Sequence, residues 1–173
     1  MALSNSPVLF MATRTDGSIV GAGRDFIAST FASGIIANRI QAKYRIRGIA
    51  AGSDGSVYVA NDHHVRKLDS SLKLLWESTA QTAEADIIRA VGVDANGTVY
   101  VAGERFLSTL AADGGRWLAR RTSDCNASAL TIDNSGAVYI AGTNRASQPV
   151  SADLPKRAPQ KSIRAAHAQC GPS

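Results

Sequence analysis

Asn61-Asp62-His63-His64 sets a carboxylate beside two imidazoles, a combination that suits zinc or manganese. Side chains adjacent in an extended segment point to opposite faces, so the two histidines cannot readily share one ion. A polar loop is the simpler expectation for this stretch, with Asp62 and His63 as its candidate ligands. Arg47 and Arg89 make a second group, 42 residues apart, each two residues before a large aliphatic (Ile49, Val91). Guanidinium groups repeated on one face fit an anion such as a phosphate or a carboxylate. The competing expectation is that each caps a loop or pairs with a neighbouring acid. Glu104 and Arg145 join them as candidate binding residues at loop or face positions. No catalytic residue is assigned, because no Ser-His-Asp or Cys-His arrangement can be argued from the spacing. Asp94 and Asp133, each three residues before a glycine, read as turn residues that bond their own backbone.

Charge is unevenly distributed. The 173-residue chain carries a formal net charge of +5. Residues 151–173 hold Lys156, Arg157, Lys161 and Arg164 against one acid, Asp153, which places +3 there and +2 on the remainder. Four of the five prolines (Pro149, Pro155, Pro159, Pro172) stand at or beyond 149. This composition predicts an extended basic arm over 151–173, with one or two helical turns allowed from Arg164 to Gln169. Such an arm can neutralise phosphates without sequence specificity, or lie on an acidic protein surface; the protein partner is favoured. Cys125 and Cys170 are 45 apart with no metal-ligand spacing, compatible with free thiols. No run of about 18 apolar residues suggests a membrane span, and the N-terminus lacks the basic start of a secretory signal. A cytoplasmic or assembled-particle setting is expected.

The elements that must position these groups repeat. Asp16-Gly17-Ser18-Ile19-Val20, Asp54-Gly55-Ser56-Val57-Tyr58, Asn96-Gly97-Thr98-Val99-Tyr100 and Ser135-Gly136-Ala137-Val138-Tyr139 are versions of one phrase. Its glycines, at 17, 55, 97 and 136, recur every 38 to 42 residues. Six residues before each stand Met11, Ile49, Val91 and Leu130; four before stand Thr13, Ala51, Val93 and Ile132. Period-2 alternation held in register with a glycine turn predicts strands facing a common core. The second unit parses into strands at 47–51, 57–61, 65–68 and 72–77. The third gives 90–94, 98–103, 105–110 and 116–120, with Trp76 and Trp117 on equivalent fourth strands. Tyr58, Tyr100 and Tyr139 are expected to fill the space between units. Four short strands per 40 residues describe the blade of an all-β propeller-like array. The units are about 6–45, 46–85, 86–125 and 126–150, followed by the tail.

Gly48 to Asp69 and Ala90 to Gly103 resemble the NHL repeat and its β-propeller relatives: a hydrophobic strand, an Asp/Asn-Gly turn, a Val-Tyr-Val-Ala strand and a third strand ending in Asp. The resemblance implies a propeller of four-stranded antiparallel blades and carries over no catalytic residue and no cofactor. It departs in the first unit, where Val20-Gly21 replaces Tyr-Val, and in the fourth, which stops after two strands. About 3.5 blades are fewer than such a ring needs. An open edge is a template for pairing, so three outcomes follow: closure by a second copy, docking on another protein, or a compact four-bladed ring that uses the tail as its missing strands. The favoured function is a non-catalytic binding or assembly module, structural within a larger complex or viral particle. The alternatives are a subunit of a metal-dependent propeller hydrolase or lyase, and a lectin-like ligand binder.

Overall fold

A computed structural model describes residues 7–80, 87–133, 135–144 and 169–172. Each unit begins with the same tight turn. The amides of Gly17, Gly55, Gly97 and Gly136 donate to the carbonyls of Arg14, Gly52, Asp94 and Asp133 at 2.9–3.1 Å. All four glycines sit at φ between 78° and 82°, a left-handed conformation that a Cβ disfavours. An aspartate locks every copy. Asp16 and Asp54 accept the amides of Ser18 and Ser56, whereas Asp94 and Asp133 accept those of Thr98 and Ala137 from the head of the turn, at 2.9–3.0 Å. The turn role expected for Asp94 and Asp133 is what the geometry shows.

These turns join the first two strands of each unit. β1 (Phe10–Thr13), β2 (Ile19–Ala22), β3 (Phe26–Thr30) and β4 (Ile36–Gln41) form one antiparallel sheet in sequence order. β5 (Gly48–Ala51), β6 (Val57–Ala60), β7 (His64–Leu68) and β8 (Leu74–Thr79) form a second, within a residue or two of the expected strands. The turn between third and fourth strands also repeats. Its left-handed residue is Gly34, Leu72 or Gly114, seventeen positions after the first turn glycine in each unit. Leu72 adopts φ 69° without being glycine, and its side chain is buried in the core between the first two sheets.

The third sheet differs from expectation. β9 (Ile88–Val93), β10 (Val99–Leu110), β11 (Trp117–Ile132), β12 (Val138–Asn144) and β13 (Gln169–Pro172) run in the order β13-β12-β11-β10-β9. β10 covers the second and third expected strands of its unit without a break. It pairs β9 up to Gly103 and β11 from Glu104 onward, with register shifts on either side of the change. β11 likewise joins the fourth strand of unit three to the first of unit four, so Cys125 lies in a strand and not in a loop. The end of the tail adds β13, parallel to β12, where Gln169 had been placed at the end of a helical turn. The open edge of β12 explains this: backbone pairing asks little of side chains, and the chain's Pro172 stands on an edge strand where a missing donor is tolerated. No helix occurs among the described residues, and none is long and apolar enough to cross a membrane.

The core is divided between the sheets. Val57 and Val59 of the second sheet, both fully buried, face Val20, Ala22 and Ile27 of the first. Tyr58 and Ala60 point the other way, toward Val91, Val99, Val101 and Phe106 of the third. Trp76 meets Tyr58 edge-on at 6.0 Å, and Trp117 donates from Nε1 to the Thr79 carbonyl at 3.0 Å, tying the outer strands together. The fold is all-β, built of blade-like antiparallel sheets in an array that is incomplete by itself.

Two measurements check the turn. A Cβ on Gly55 would meet nothing within 4 Å, so Gly55→Ala isolates the backbone cost. It should destabilise by about 1–2 kcal/mol in urea denaturation, and Gly55→Asn by less. Burial raises the Asp54 carboxyl, but the Ser56 hydroxyl and amide and the Lys67 ammonium outweigh it and hold it at about 2. A carboxylate depressed in the folded state adds stability above its unfolded value of about 3.9 and loses it as pH falls toward 2. Asp54→Asn should therefore lower stability at pH 7 and flatten its fall between about pH 4 and pH 2, measured by the same denaturation series.

Candidate functional site

The first strands of the four units lie side by side: β1 packs on β5, β5 on β9, and β9 on β11. Residues eight positions before the turn glycines are Leu9, Arg47, Arg89 and Ser128, at or just before the starts of these inner strand segments. All four line one open cavity of about 260 Å³, together with Phe10, Ile46 and two further arginines, Arg24 and Arg45. The topology has thus brought one end of every inner strand to a common mouth.

Arg47 and Arg89 are both half-buried there and both taken by acids. The Arg47 Nε donates to Asp62, and the Arg89 guanidinium donates to Glu104 through Nη2 and, at 3.1 Å, through Nε. Each acid lies fifteen residues after its arginine, Asp62 between β6 and β7 and Glu104 within β10 where that strand changes partners. The repeat therefore carries one ion pair twice, and the expectation that such arginines pair with neighbouring acids describes these two. In unit one the acid position holds Arg24 and the arginine position holds Leu9. Arg24 and Arg45 are exposed, and among the described residues neither meets a carboxylate. Among the described residues that line the mouth or pair with it, four guanidinium groups and two carboxylates leave two positive charges uncompensated.

The proposed metal ligands are not assembled. Asp62 faces Arg47, while Asn61 Oδ1 accepts the amides of His63 and His64 at 3.1 and 2.7 Å, folding the segment into a capped turn. His64 leaves that loop for β7, where its Nε2 stands 3.7 Å from Glu77. Burial depresses its imidazole below the ordinary value, with the Arg66 and His63 charges acting the same way and Glu77 opposing them. Arg66 pairs with Glu77 and stacks 3.8 Å above Tyr44, whose hydroxyl is pushed up by burial. Among the described residues no group of three His, Cys, Asp or Glu side chains could hold a metal. Arg145, Lys156, Arg157, Lys161 and Arg164 lie outside the described residues.

Arg24 and Arg45 were missed by sequence reasoning. Arg24 was accessible to it, since it stands in register with Asp62 and Glu104, seven residues after the turn glycine. Nothing periodic marks Arg45, which the loop before β5 delivers to the cavity.

No family model and no curated protein matches the chain. Solved structures do. The chain is similar to the RRP9 WD40 repeats (TM-score 0.71, 14% identity), with 82% of this chain covering 47% of that one. Kuenenia stuttgartiensis hydrazine synthase gives TM-score 0.71 at 16% identity, over 87% of this chain and 46% of the other. The Neurospora crassa Pan2 WD40 domain gives 0.62 at 14% identity, over 83% and 50%. The fold is that of a β-propeller, and the chain spans about half the length of the structures it matches. Nothing in these likenesses singles out the NHL type.

A double-mutant cycle on Arg47 and Asp62 (R47A, D62A and both) should give a coupling of about 0.2–1 kcal/mol in chemical denaturation, the range of partly exposed pairs. A coupling of zero would mean that the pair does not order the mouth.

Proposed function

We propose that this chain is a non-catalytic assembly module, an NHL-type half-propeller that works through protein contacts and is closed by a second copy of itself. The observation that carries this is a graded exposure at equivalent positions. Tyr58 is 1% exposed, Tyr100 8% and Tyr139 42%. Tyr58 packs forward into the junction with the third sheet, while Tyr139 belongs to the last of the repeat units. At the other end Met11 is 70% exposed where its equivalent Val91 is 5%, and Ile19 is 38% where Val57 and Val99 are 0%. Within the chain, the junction of the second and third sheets joins the Tyr58 face to an aliphatic face that carries Val91 and Val99. The two open ends are the two halves of that junction.

A face of this kind on one copy fits the opposite face on another. Two such head-to-tail contacts close a ring with two-fold symmetry. A place as a structural component of a larger particle is compatible with this closure.

Solution mass tests it. Light scattering at micromolar concentration should give twice the 18.1 kDa of the chain. Tyr139→Asp and Met11→Asp, each at an exposed position, should each yield monomers with an unchanged far-ultraviolet spectrum. A wild-type monomer, or a dimer indifferent to both substitutions, would overturn the proposal.

A further inference from the structure

The arginine mouth carries an inference independent of how the ring closes, because its cavity is lined by the four units of one chain. Of the four guanidinium groups there, Arg47 and Arg89 have their charge answered by Asp62 and Glu104. Arg24 and Arg45 do not, and the repeat explains why: at the position where units two and three supply an acid, unit one supplies a third cation. A guanidinium is planar, permanently charged and presents a fork of donors matched to oxyanions. Two such forks free at a concave opening, backed by two more held in place by salt bridges, make a cradle for negative charge. The remaining lining, Leu9, Phe10, Ile46 and Ser128, adds no carboxylate. Asp25, next to Arg24, accepts from the Gln41 amide at 3.1 Å.

We propose that the arginine mouth binds a small polyanion bearing phosphate or carboxylate groups, gripped by Arg24 and Arg45 and seated against the paired Arg47 and Arg89. The cavity of about 260 Å³ suits a compact molecule with two or more negative charges. The two charges left over at the mouth set that requirement.

Titration calorimetry with inorganic pyrophosphate and with citrate tests the site and separates its two chemical sources. At least one of the probes should bind at low salt and weaken as salt is added. The R24A/R45A double variant should lose about tenfold or more in affinity, as expected when two charge-assisted contacts are removed. R116A, which removes an exposed arginine remote from the cavity, should not change it. R24K/R45K keeps both charges but not the forks, and should fall between wild type and R24A/R45A, which preserves the test if the alanine variant fails to fold. Absence of binding by both probes would overturn the proposal. So would full affinity in R24A/R45A, since the basic residues at 156–164 would then be the binders. Mass measured with and without the probe keeps this outcome separate from that of ring closure.

Discussion

Everything in this fold depends on the parity of residues along the second strand of each unit. Val57 and Val59 face the sheet before them, and Tyr58 and Ala60 face the sheet after. A sheet with both faces buried must keep two complementary apolar sets in alternation, and a one-residue slip would exchange them. The left-handed glycine turn prevents that slip, because it fixes where the strand starts relative to its partner. The register follows directly: Val57 pairs with Ala51, Val99 with Val93 and Ile19 with Thr13, always across the same five-residue connection. Hydrophobic burial supplies the driving force, and the turn decides which face receives it.

The sequence revealed this layer well because turn and alternation are local signals. The four glycines, the tyrosine positions and the four strands of the second unit are all legible from spacing alone. The third sheet was less so. Whether two strands merge into a run such as β10 depends on how the chain changes partners at Gly103 and Glu104, a tertiary matter. β13 was legible only as one of three outcomes, the tail supplying strands, because backbone pairing against an open edge leaves no hydrophobic pattern to fix its position. The mouth was half legible. Arg47 and Arg89 declared themselves by recurrence, but their acids sit fifteen residues away across a hairpin. Only the alignment of Asp62, Glu104 and Arg24 on one register position shows which arginines are already satisfied.

That register position illustrates how a repeat acquires a site. Residues 24, 62 and 104 hold the same register position in the repeat, between strands in the first two units and within β10 in the third, and their side chains are free to vary. An acid there neutralises the arginine that starts its own inner strand. An arginine there, opposite Leu9, neutralises nothing and adds to the field of its neighbours. An arginine at this position in one unit thus sets a directional charge beside the two matched pairs. No rearrangement of the sheets is needed for this.

The same logic separates the ends of the array from its middle. In a repeat protein each unit is stabilised by its neighbours, so a unit with one neighbour holds fewer buried contacts than a unit with two. The second sheet is covered on both faces, by the first through Val57 and Val59 and by the third through Tyr58. Among the described residues the first is covered on one face, with Met11 and Ile19 exposed, and Tyr139 is exposed at the far end. Local opening should begin at such one-sided units. Covering an end face would then do two things at once. It would bury apolar side chains already set in register by their turns, and it would order the unit that carries them. Assembly and the stability of the outer blades are in this sense one equilibrium, with the middle sheet as its fixed point.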